Sequence, residues 1–495
     1  MFAVNHHFLR AKTSPYILEK TLKKQVIGGV AWRGSADIIQ QVLQIVFTIV
    51  LARLLTKADF GLLATAMVIN RFFVALISVG FGGAIIRSTD ITKEQISAIF
   101  YIQLILNFTL SVVVYYLAQP IASFFEEIEL VRLVEITAWI ILLQTFQFPT
   151  ILLRKNMQFK SFSLIEISSM LIANTAAIIM AFDGFGIWSL VARLFIQKLC
   201  FVIGTWFAAK WKPTKPDFNG LKPIMNFGFN MLGSNLLSYF SENLIAIIIS
   251  KFLGKEIMGL FNIAYNLAIV PASKIKSVLL SVLTPGFAKI QLDIISFTKN
   301  NRKVLLYLSL TFIPFMFLMS GMSENIVLFM YGAKWIDASP MLLILAIVGL
   351  MKGVVHLLRS SILVKGEARV ILYATIIELV SSLPLMYFYV SIYGVNGLLI
   401  GYSVGTLTSF FYIVYKYDKL FEEKIFYKTV LLPFIFGVSL FALVFFIGQF
   451  SINLYIELIL QLFMALILFG ILMRLFYWKI MKKALQRFKL LKNRA

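Results

Sequence analysis

Three basic side chains recur within one strongly apolar stretch of the chain. Lys352, His356 and Arg359 lie in SPMLLILAIVGLMKGVVHLLRSSILV. Residues three, four and seven positions apart share one face of an α-helix, so this stripe would be roughly 10 Å long. Lysine and arginine are good phosphate ligands, and a cationic cavity attracts anions. The stripe therefore predicts an anion-binding surface. Two alternatives stay open, in which Arg359 extends to a polar interface and His356 is a packing residue.

Other ionisable groups also interrupt apolar runs, where such residues are costly and are candidates for function. Arg71 lies in ATAMVINRFFVALISV, and Lys274 and Lys276 follow Pro271 in IVPASKIKSVLL. Lys274 and Lys276 point to different faces, so we expect only one of them to reach a central cavity. Glu242, in LLSYFSENLIAIII, is predicted to pair with a cavity lysine or to bind a coupling cation. Glu378 is expected to pair with a nearby basic loop.

Motifs for covalent or cofactor chemistry are absent from the sequence. It contains no P-loop, dinucleotide-binding fingerprint, metal-ligand cluster or nucleophile elbow. We therefore predict no catalytic residue, no metal site and no bound cofactor. The chemistry indicated by the residues is binding of an anion, and the chain is predicted not to be an enzyme.

The elements that position these residues are predicted to be membrane-spanning helices. Of the 495 residues, 60% are hydrophobic and 14% are charged, which is more apolar than a soluble protein. Apolar runs of membrane length predict about fourteen helices, and the short alternating runs of a barrel are absent. The predicted spans are 35–55, 60–84, 96–118, 131–153, 162–182, 186–209, 224–250, 259–283, 304–321, 340–364, 370–390, 395–415, 429–450 and 454–475.

Basic residues concentrate in alternate connections, which predicts the orientation of the chain. The N-terminal segment, the connections after even-numbered spans and the C-terminal tail carry most of the Lys and Arg residues. This pattern places both termini in the cytoplasm. It accounts for most of the net charge of +23 without nucleic acid. The basic tail is expected either to contact anionic lipid headgroups or to be solvated.

An internal repeat predicts two related halves. LARLLTKADFGLLATA (51–66) aligns with ISKFLGKEIMGLFNIA (249–264), so that Lys57 matches Lys255 and Gly61 matches Gly259. Repeats of this kind are typical of transporters that rock around a central site. The predicted organisation is a cytoplasmic segment (1–34), a six-helix bundle (35–209), a cytoplasmic loop (210–223), a second six-helix bundle (224–415), two additional helices (429–475) and a basic cytoplasmic tail (476–495).

The order of several segments resembles a known superfamily. They are AWRGSADIIQQVLQIVFTIVLARLLTKADFGLLATA (31–66), FGGAIIRSTDITKEQ (81–95), FPTILLRKNMQFK (148–160), GFGIWSLVAR (184–193) and YGAKWIDASPMLLILA (331–346). Together they resemble the polysaccharide-transporter branch of the multidrug/oligosaccharidyl-lipid/polysaccharide flippase superfamily, near the O-antigen and colanic-acid exporters of lipopolysaccharide biosynthesis. The resemblance covers about the first 415 residues and weakens in the last two spans.

The resemblance implies a function and a setting. It implies two six-helix bundles around a cationic cavity, and export of polyprenyl-pyrophosphate-linked oligosaccharides across a bacterial cytoplasmic (inner) membrane by alternating access. Arg71, Lys274, Lys352 and Arg359 match the family's cavity cations in position type only. Na⁺, H⁺ or the membrane potential would drive transport. We expect a monomer in contact with membrane lipids and with other polysaccharide assembly proteins. A drug or cation antiporter of the same fold is the alternative, and it predicts a cavity dominated by acidic groups.

Overall fold

The computed structural model describes residues 15–77, 81–88, 91–279, 287, 293–421, 424–450 and 453–492. Every regular element in these ranges is helical, which confirms the predicted all-α class. The helices of the first half are α1 (Pro15–Leu54), α2 (Lys57–Ile77), α3 (Phe81–Arg87), α4 (Lys93–Tyr116), α5 (Ala118–Phe125), α6 (Leu130–Thr145), α7 (Pro149–Lys155), α8 (Phe159–Phe182) and α9 (Ile187–Ala209).

The second half continues as helices. They are α10 (Lys222–Phe252), α11 (Gly254–Val278), α12 (Ile294–Gly321), α13 (Ser323–Tyr331), a 3-10 helix (Ala333–Ala338), α14 (Ser339–Val364), α15 (Ala368–Leu420), α16 (Ile425–Ile447) and α17 (Leu454–Lys492). The segment α15 spans two predicted membrane crossings, and it bends at Gly394, which has φ 56° and ψ −131°. That backbone geometry is readily adopted by glycine, which lacks a Cβ.

Ten of the described helices are long and apolar enough to cross a membrane. The number rises to eleven when α6 and α7, which meet at a bend of 42°, are taken as one span. The helices α10 and α11 are not among them, although they lie where the seventh and eighth spans are predicted. Side chains in the first part of α10 and at the end of α11 lie outside the described part of the structure, and the count rests on the described residues alone. The count of fourteen spans stays a prediction.

Contacts divide the chain into two units. Unit 1 contains the residues up to Leu54, Phe72–Pro120 and Leu130–Asn235, and unit 2 contains Leu55–Arg71, Ile121–Glu129 and the residues from Leu236 onwards. The predicted domain boundaries are not tested by this division and stay predictions.

The core of unit 1 includes a cluster of aromatic rings. The ring centroid of Phe100 lies 5.5 Å from that of Phe148 and 5.3 Å from that of Trp211. The indole of Trp206 donates a hydrogen bond to the Phe146 carbonyl at 2.6 Å, so its polar atom is satisfied. Buried aromatic pairs with edge-to-face geometry add specific packing energy to the apolar area that they bury.

The core of unit 2 is formed by α11, α12, α14, α15 and α16. The consecutive helices α14 and α15 contact each other, and so do helices further apart along the chain, namely α11 with α14 and α12 with α16. Small residues allow close helix packing, because a Cβ on Gly349 would overlap the Ala268 carbonyl and one on Gly353 would overlap the Phe312 ring. The helix α14 is therefore held against α11 and α12. This packing fixes the position of the basic stripe that α14 carries.

The two helices that follow the second predicted bundle are joined to unit 2 by buried polar groups. Asn325 on α13 donates hydrogen bonds to Glu457 (2.6 Å) and Gln461 (3.0 Å) on α17. Gln461 in turn donates to the Val444 carbonyl on α16 at 2.9 Å. Hydrogen bonds between apolar helices align them at a defined register.

Candidate functional site

Unit 2 contains all of the predicted site residues. Arg71 is on α2, Glu242 is on α10 and Lys274 is on α11, while α14 carries Lys352, His356 and Arg359. The side chain of Lys276 lies outside the described part of the structure.

Lys352 forms a largely buried ion pair. Its Nζ atom lies 3.0 Å from Oε1 of Glu378 on α15, and the two side chains are 16% and 8% exposed. The other carboxylate oxygen of Glu378 accepts a hydrogen bond from the Ser241 hydroxyl at 3.3 Å. The Lys352 ammonium also lies 4.8 Å from the ring centroid of Tyr402, within cation–π range. The predicted pairing of Glu378 with a basic loop is therefore wrong, because its partner is the deep lysine of the neighbouring helix α14.

Arg359 lies two turns further along α14 than Lys352. Its guanidinium interacts electrostatically with Glu378 and, less strongly, with Glu242. Its Nε atom is buried and has no hydrogen-bond partner among the described residues. His356 is half-buried between Lys352 and Arg359 in sequence. Within the stripe, Lys352 is thus paired with Glu378, whereas Arg359 only lies within the electrostatic influence of Glu378 and Glu242.

Arg71 and Lys274 differ from the stripe because both side chains are exposed. Arg71 donates a hydrogen bond to the side-chain oxygen of Asn243 at 3.3 Å, and Asn243 is itself held by the Tyr239 carbonyl. Neither cation forms an ion pair with a carboxylate of the described chain. Lys274 lies one turn beyond Pro271, and α11 continues through that proline. These two residues therefore combine exposure with an unbalanced positive charge.

Glu242 is the acid for which the sequence left two alternatives. Its side chain is exposed, and its backbone carbonyl accepts a hydrogen bond from the Tyr265 hydroxyl at 3.4 Å. The deep lysine Lys352 pairs with Glu378 instead of Glu242. A coupling role for Glu242 stays a prediction.

The balance of charge on these helices favours an anionic ligand. Among the ionisable residues that interrupt the predicted spans of unit 2, four described cations, Arg71, Lys274, Lys352 and Arg359, stand against two carboxylates, Glu242 and Glu378. In a medium of low dielectric, such an excess attracts and holds negative charge. No group of three or more potential metal ligands occurs among the described residues.

A second feature of unit 2 is the contact between the two copies of the sequence repeat, which we call the repeat junction. A Cβ on Gly61 of α2 would overlap the Lys255 carbonyl of α11, and a Cβ on Gly259 of α11 would overlap the Lys57 carbonyl of α2. The contact is reciprocal. Lys57 and Lys255 occupy equivalent positions in the two copies of the repeat, and the glycine of each copy faces the carbonyl of the lysine in the other copy. The two helices therefore approach each other as closely as backbones allow.

Ion pairs surround the repeat junction. They join Lys57 to Asp337 (2.7 Å), Lys251 to Glu126 (2.6 Å), and Lys255 to Glu127 and Glu129 (3.2 Å each). Three of these acids belong to the connection between α5 and α6. Glu126 also has a positive φ of 59°, which is uncommon for a residue other than glycine. The connection thus adopts a strained backbone at the residue that pairs with Lys251.

The Glu126–Lys251 pair predicts a dependence of stability on pH. The Lys251 ammonium lowers the pKa of the Glu126 carboxyl by hydrogen bonding and by charge attraction. A lowered pKa means that the pair stabilises the folded protein above the usual carboxyl range, and that this contribution is lost as the pH falls through the lowered value. We expect wild type to have a slightly higher Tm than Glu126→Gln at neutral pH, with the difference vanishing once the pH is below the lowered pKa. A difference that grows on acidification would contradict this assignment.

Sequence reasoning did not find the partners of these basic residues. The Glu378 carboxylate and the Tyr402 ring belong to the next helix, α15, and the acids around the repeat junction lie in the α5–α6 connection and the 3-10 helix, so no spacing within one helix indicates these pairings. The only available signal was the acidic composition of QPIASFFEEIE, which marks a connection poor in cations.

Comparisons with known proteins agree with this architecture. Residues 50–340 match the family described as "Polysaccharide biosynthesis protein". The chain is 28% identical over 360 residues to "Teichuronic acid biosynthesis protein TuaB" of Bacillus subtilis (strain 168), which covers 71% of this chain and 74% of that protein. It is 26% identical over 338 residues to "Succinoglycan biosynthesis transport protein ExoT" of Rhizobium meliloti (strain 1021), covering 67% of each.

A solved structure shares the fold. The inward closed conformation of "Lipid II flippase MurJ" superposes with a TM-score of 0.72, and the match covers 91% of this chain and 99% of that chain. The two sequences are 17% identical, so the similarity shows the fold alone. The comparisons and the apolar helices together show a multi-pass membrane protein.

Proposed function

Because the chain belongs to the polysaccharide biosynthesis protein family, we propose that it is a transporter of lipid-linked sugar units. It moves polyprenyl-pyrophosphate-linked oligosaccharides across a bacterial cytoplasmic membrane for the assembly of surface polysaccharide. The proposal is supported by a relative named as a transport protein and by the fold that the chain shares with a lipid flippase. The chain acts as a flippase, and no chemical step is required of it.

The observation that carries the proposal is the excess of cations over carboxylates among the residues that interrupt the predicted spans of unit 2. Arg71 and Lys274 are exposed on the helices α2 and α11 and have no ion-pair partner among the described acids. A pyrophosphate carries negative charge and several oxygens that accept hydrogen bonds from arginine and lysine. We assign Arg71 and Lys274 as pyrophosphate ligands, and the Lys352–Glu378 pair as a structural element of unit 2.

Transport then follows an alternating-access cycle. The pyrophosphate contacts the exposed cations, the sugars cross through water, and the polyprenyl chain stays in lipid, because each group remains in a medium that solvates it. In this proposal the repeat junction is a gate, and separation of Gly61 from Gly259 opens the transport pathway. Either an ion gradient or the membrane potential drives the net movement of a charged substrate.

The antiporter alternative is less well supported by the side chains. Binding of a cationic drug or of a coupling cation favours free carboxylates in the cavity. Glu378 is instead buried and neutralised by Lys352. The observed charge balance thus favours an anionic substrate.

The proposed orientation follows from the distribution of basic residues. Both termini lie in the cytoplasm, and the repeat junction then lies at the outer face of the membrane. The protein works as a monomer, in contact with other polysaccharide assembly proteins that use the exported unit.

The function is tested by depleting the protein from its host. Lipid-linked oligosaccharides should accumulate in the inner leaflet while surface polysaccharide falls. Normal surface polysaccharide with unchanged lipid intermediates would contradict the proposal.

The ligand assignment is tested in the same host by complementation. Arg71→Gln combined with Lys274→Gln should lower export at least tenfold, since hydrogen bonds to charged groups contribute about 1.5–3 kcal/mol each. Arg71→Lys should retain part of the activity, because it keeps the charge. Lys212→Gln removes an exposed charge elsewhere and serves as the control. Equal export by the double variant and the control, at equal protein levels, would refute the assignment.

A further inference from the structure

A basic pocket lies at the beginning of α12, apart from the site residues described above. The pocket has a volume of about 510 Å³. Among the described residues, its lining includes the three cations Lys299, Arg302 and Lys303, the hydroxyl residue Thr298 and the apolar residues Ile295, Leu306 and Phe421. Lys299, Arg302 and Lys303 are three and four residues apart, so they share one face of α12.

The three cations are available to a ligand. All three side chains are exposed. None of them forms an ion pair or a hydrogen bond with another described residue. Three like charges on neighbouring turns repel one another, and a bound anion would relieve that repulsion.

Two described carboxylates, Asp293 and Asp418, lie near the pocket along the chain, and neither forms an ion pair with its cations. Asp293 caps α12 and accepts a hydrogen bond from the Ser296 amide at 3.0 Å, and its hydrogen bonds to Ser296 hold the pKa of its carboxyl below the usual range. Asp418 accepts a hydrogen bond from the Phe426 amide at 3.0 Å. These contacts leave the positive charge of the pocket without a carboxylate partner among the described residues.

One apolar residue of the lining, Phe421, is buried in the core of unit 2. Phe421 stacks on Phe297 with ring centroids 5.8 Å apart and an interplanar angle of 8°. The Lys365 ammonium lies 5.0 Å from the ring centroid of Phe297. Cations and apolar side chains therefore line one cavity side by side.

The position of the pocket along its helix indicates the class of ligand. The helix that carries it is long and apolar enough to cross a membrane from Ile295 to Gly321, and the cations occupy its first turns. Cations at the end of a spanning helix lie at the level of lipid headgroups, where each basic residue contributes about 1 kcal/mol to attraction of anionic lipid. A free phosphate would use the cations but would leave Ile295, Leu306 and Phe421 without a role.

We propose that this pocket binds the phosphate headgroup of an anionic glycerophospholipid. The phosphate oxygens accept hydrogen bonds from Lys299, Arg302 and Lys303, and the glycerol and upper acyl carbons contact the apolar lining. The site is distinct from Arg71 and Lys274, so it stands or falls independently of the proposed transport activity.

The proposal is tested by titrating the purified full-length protein with phosphatidylglycerol, and counting bound lipids by native mass spectrometry. The triple variant Lys299→Ala/Arg302→Ala/Lys303→Ala should bind phosphatidylglycerol at least about tenfold more weakly than wild type. Arg302→Gln alone should show a smaller loss in the same direction. Phosphatidylcholine, which has no net charge, should bind wild type and variants alike.

A charge-matched control separates the pocket from general electrostatics. Lys212→Ala/Lys215→Ala/Lys222→Ala removes three exposed lysines outside the pocket, and it should bind phosphatidylglycerol as wild type does. An equal loss of affinity in both triple variants would overturn the proposal. Displacement of the lipid by millimolar inorganic phosphate would also overturn it, because the site would then be one for a soluble anion.

Discussion

Replacing Lys352 with glutamate should destabilise the protein by about 3–5 kcal/mol, because removal of one partner from a buried ion pair leaves an uncompensated charge. The loss should be severe here, since the new carboxylate would face Glu378 across a contact in which the present side chains are only 16% and 8% exposed. The expected observation is a large fall in Tm of the purified protein in detergent, with a matching fall in its level in the membrane.

The exchanged pair is the informative control for this substitution. Lys352→Glu combined with Glu378→Lys restores opposite charges on α14 and α15, so most of the lost stability should return. Lys352→Arg keeps the charge and should be milder than either single reversal. If the exchanged pair is as unstable as Lys352→Glu alone, the ion pair is not what positions these helices.

A methyl group added at Gly61 should have the second large effect. The new Cβ would overlap the Lys255 carbonyl, and backbone cannot move aside as a flexible side chain can. Gly61→Ala should therefore separate α2 from α11 and lower the rate of export at least tenfold. A tenfold lower rate corresponds to a transport barrier that is higher by about 1.4 kcal/mol. Export by the host strain and cross-linking between cysteines introduced on α2 and α11 would measure the effect.

Two further glycine variants make this prediction specific. Gly259→Ala should behave like Gly61→Ala, because the two contacts are reciprocal. Gly470→Ala on α17 adds the same methyl group where no atom lies within 4 Å, so its effect should be small. Comparable export by the Gly61→Ala and Gly470→Ala variants would show that close approach at the repeat junction is not required.

The sequence was sufficient to predict the class of fold and a set of candidate binding residues. Apolar runs of membrane length predict the helices, and the spacing of Lys352, His356 and Arg359 predicts a basic face on α14. The repeat alignment alone pairs Gly61 with Gly259. These predictions rest on periodicity and on local composition, which are properties of neighbouring residues.

Contacts between distant segments could not be predicted in the same way. Nothing in the spacing of Lys352 indicates that its charge is balanced by Glu378, because that pairing depends on how α14 packs against α15. The alignment of Gly61 with Gly259 likewise does not show that the two copies touch. The ion pair of Lys352 with Glu378 is the reason why our proposal assigns Arg71 and Lys274, and not Lys352, as pyrophosphate ligands.

Transport is measured most directly after reconstitution of the purified protein into vesicles that contain a synthetic polyprenyl-pyrophosphate-linked sugar. An enzyme added outside the vesicles modifies only the sugars that it can reach. Vesicles with wild-type protein should expose the sugars of both leaflets over time, whereas the Arg71→Gln/Lys274→Gln variant should expose only those of the outer leaflet. Equal exposure in protein-free vesicles and in vesicles with wild-type protein would contradict the central claim that this chain moves lipid-linked sugars across a membrane.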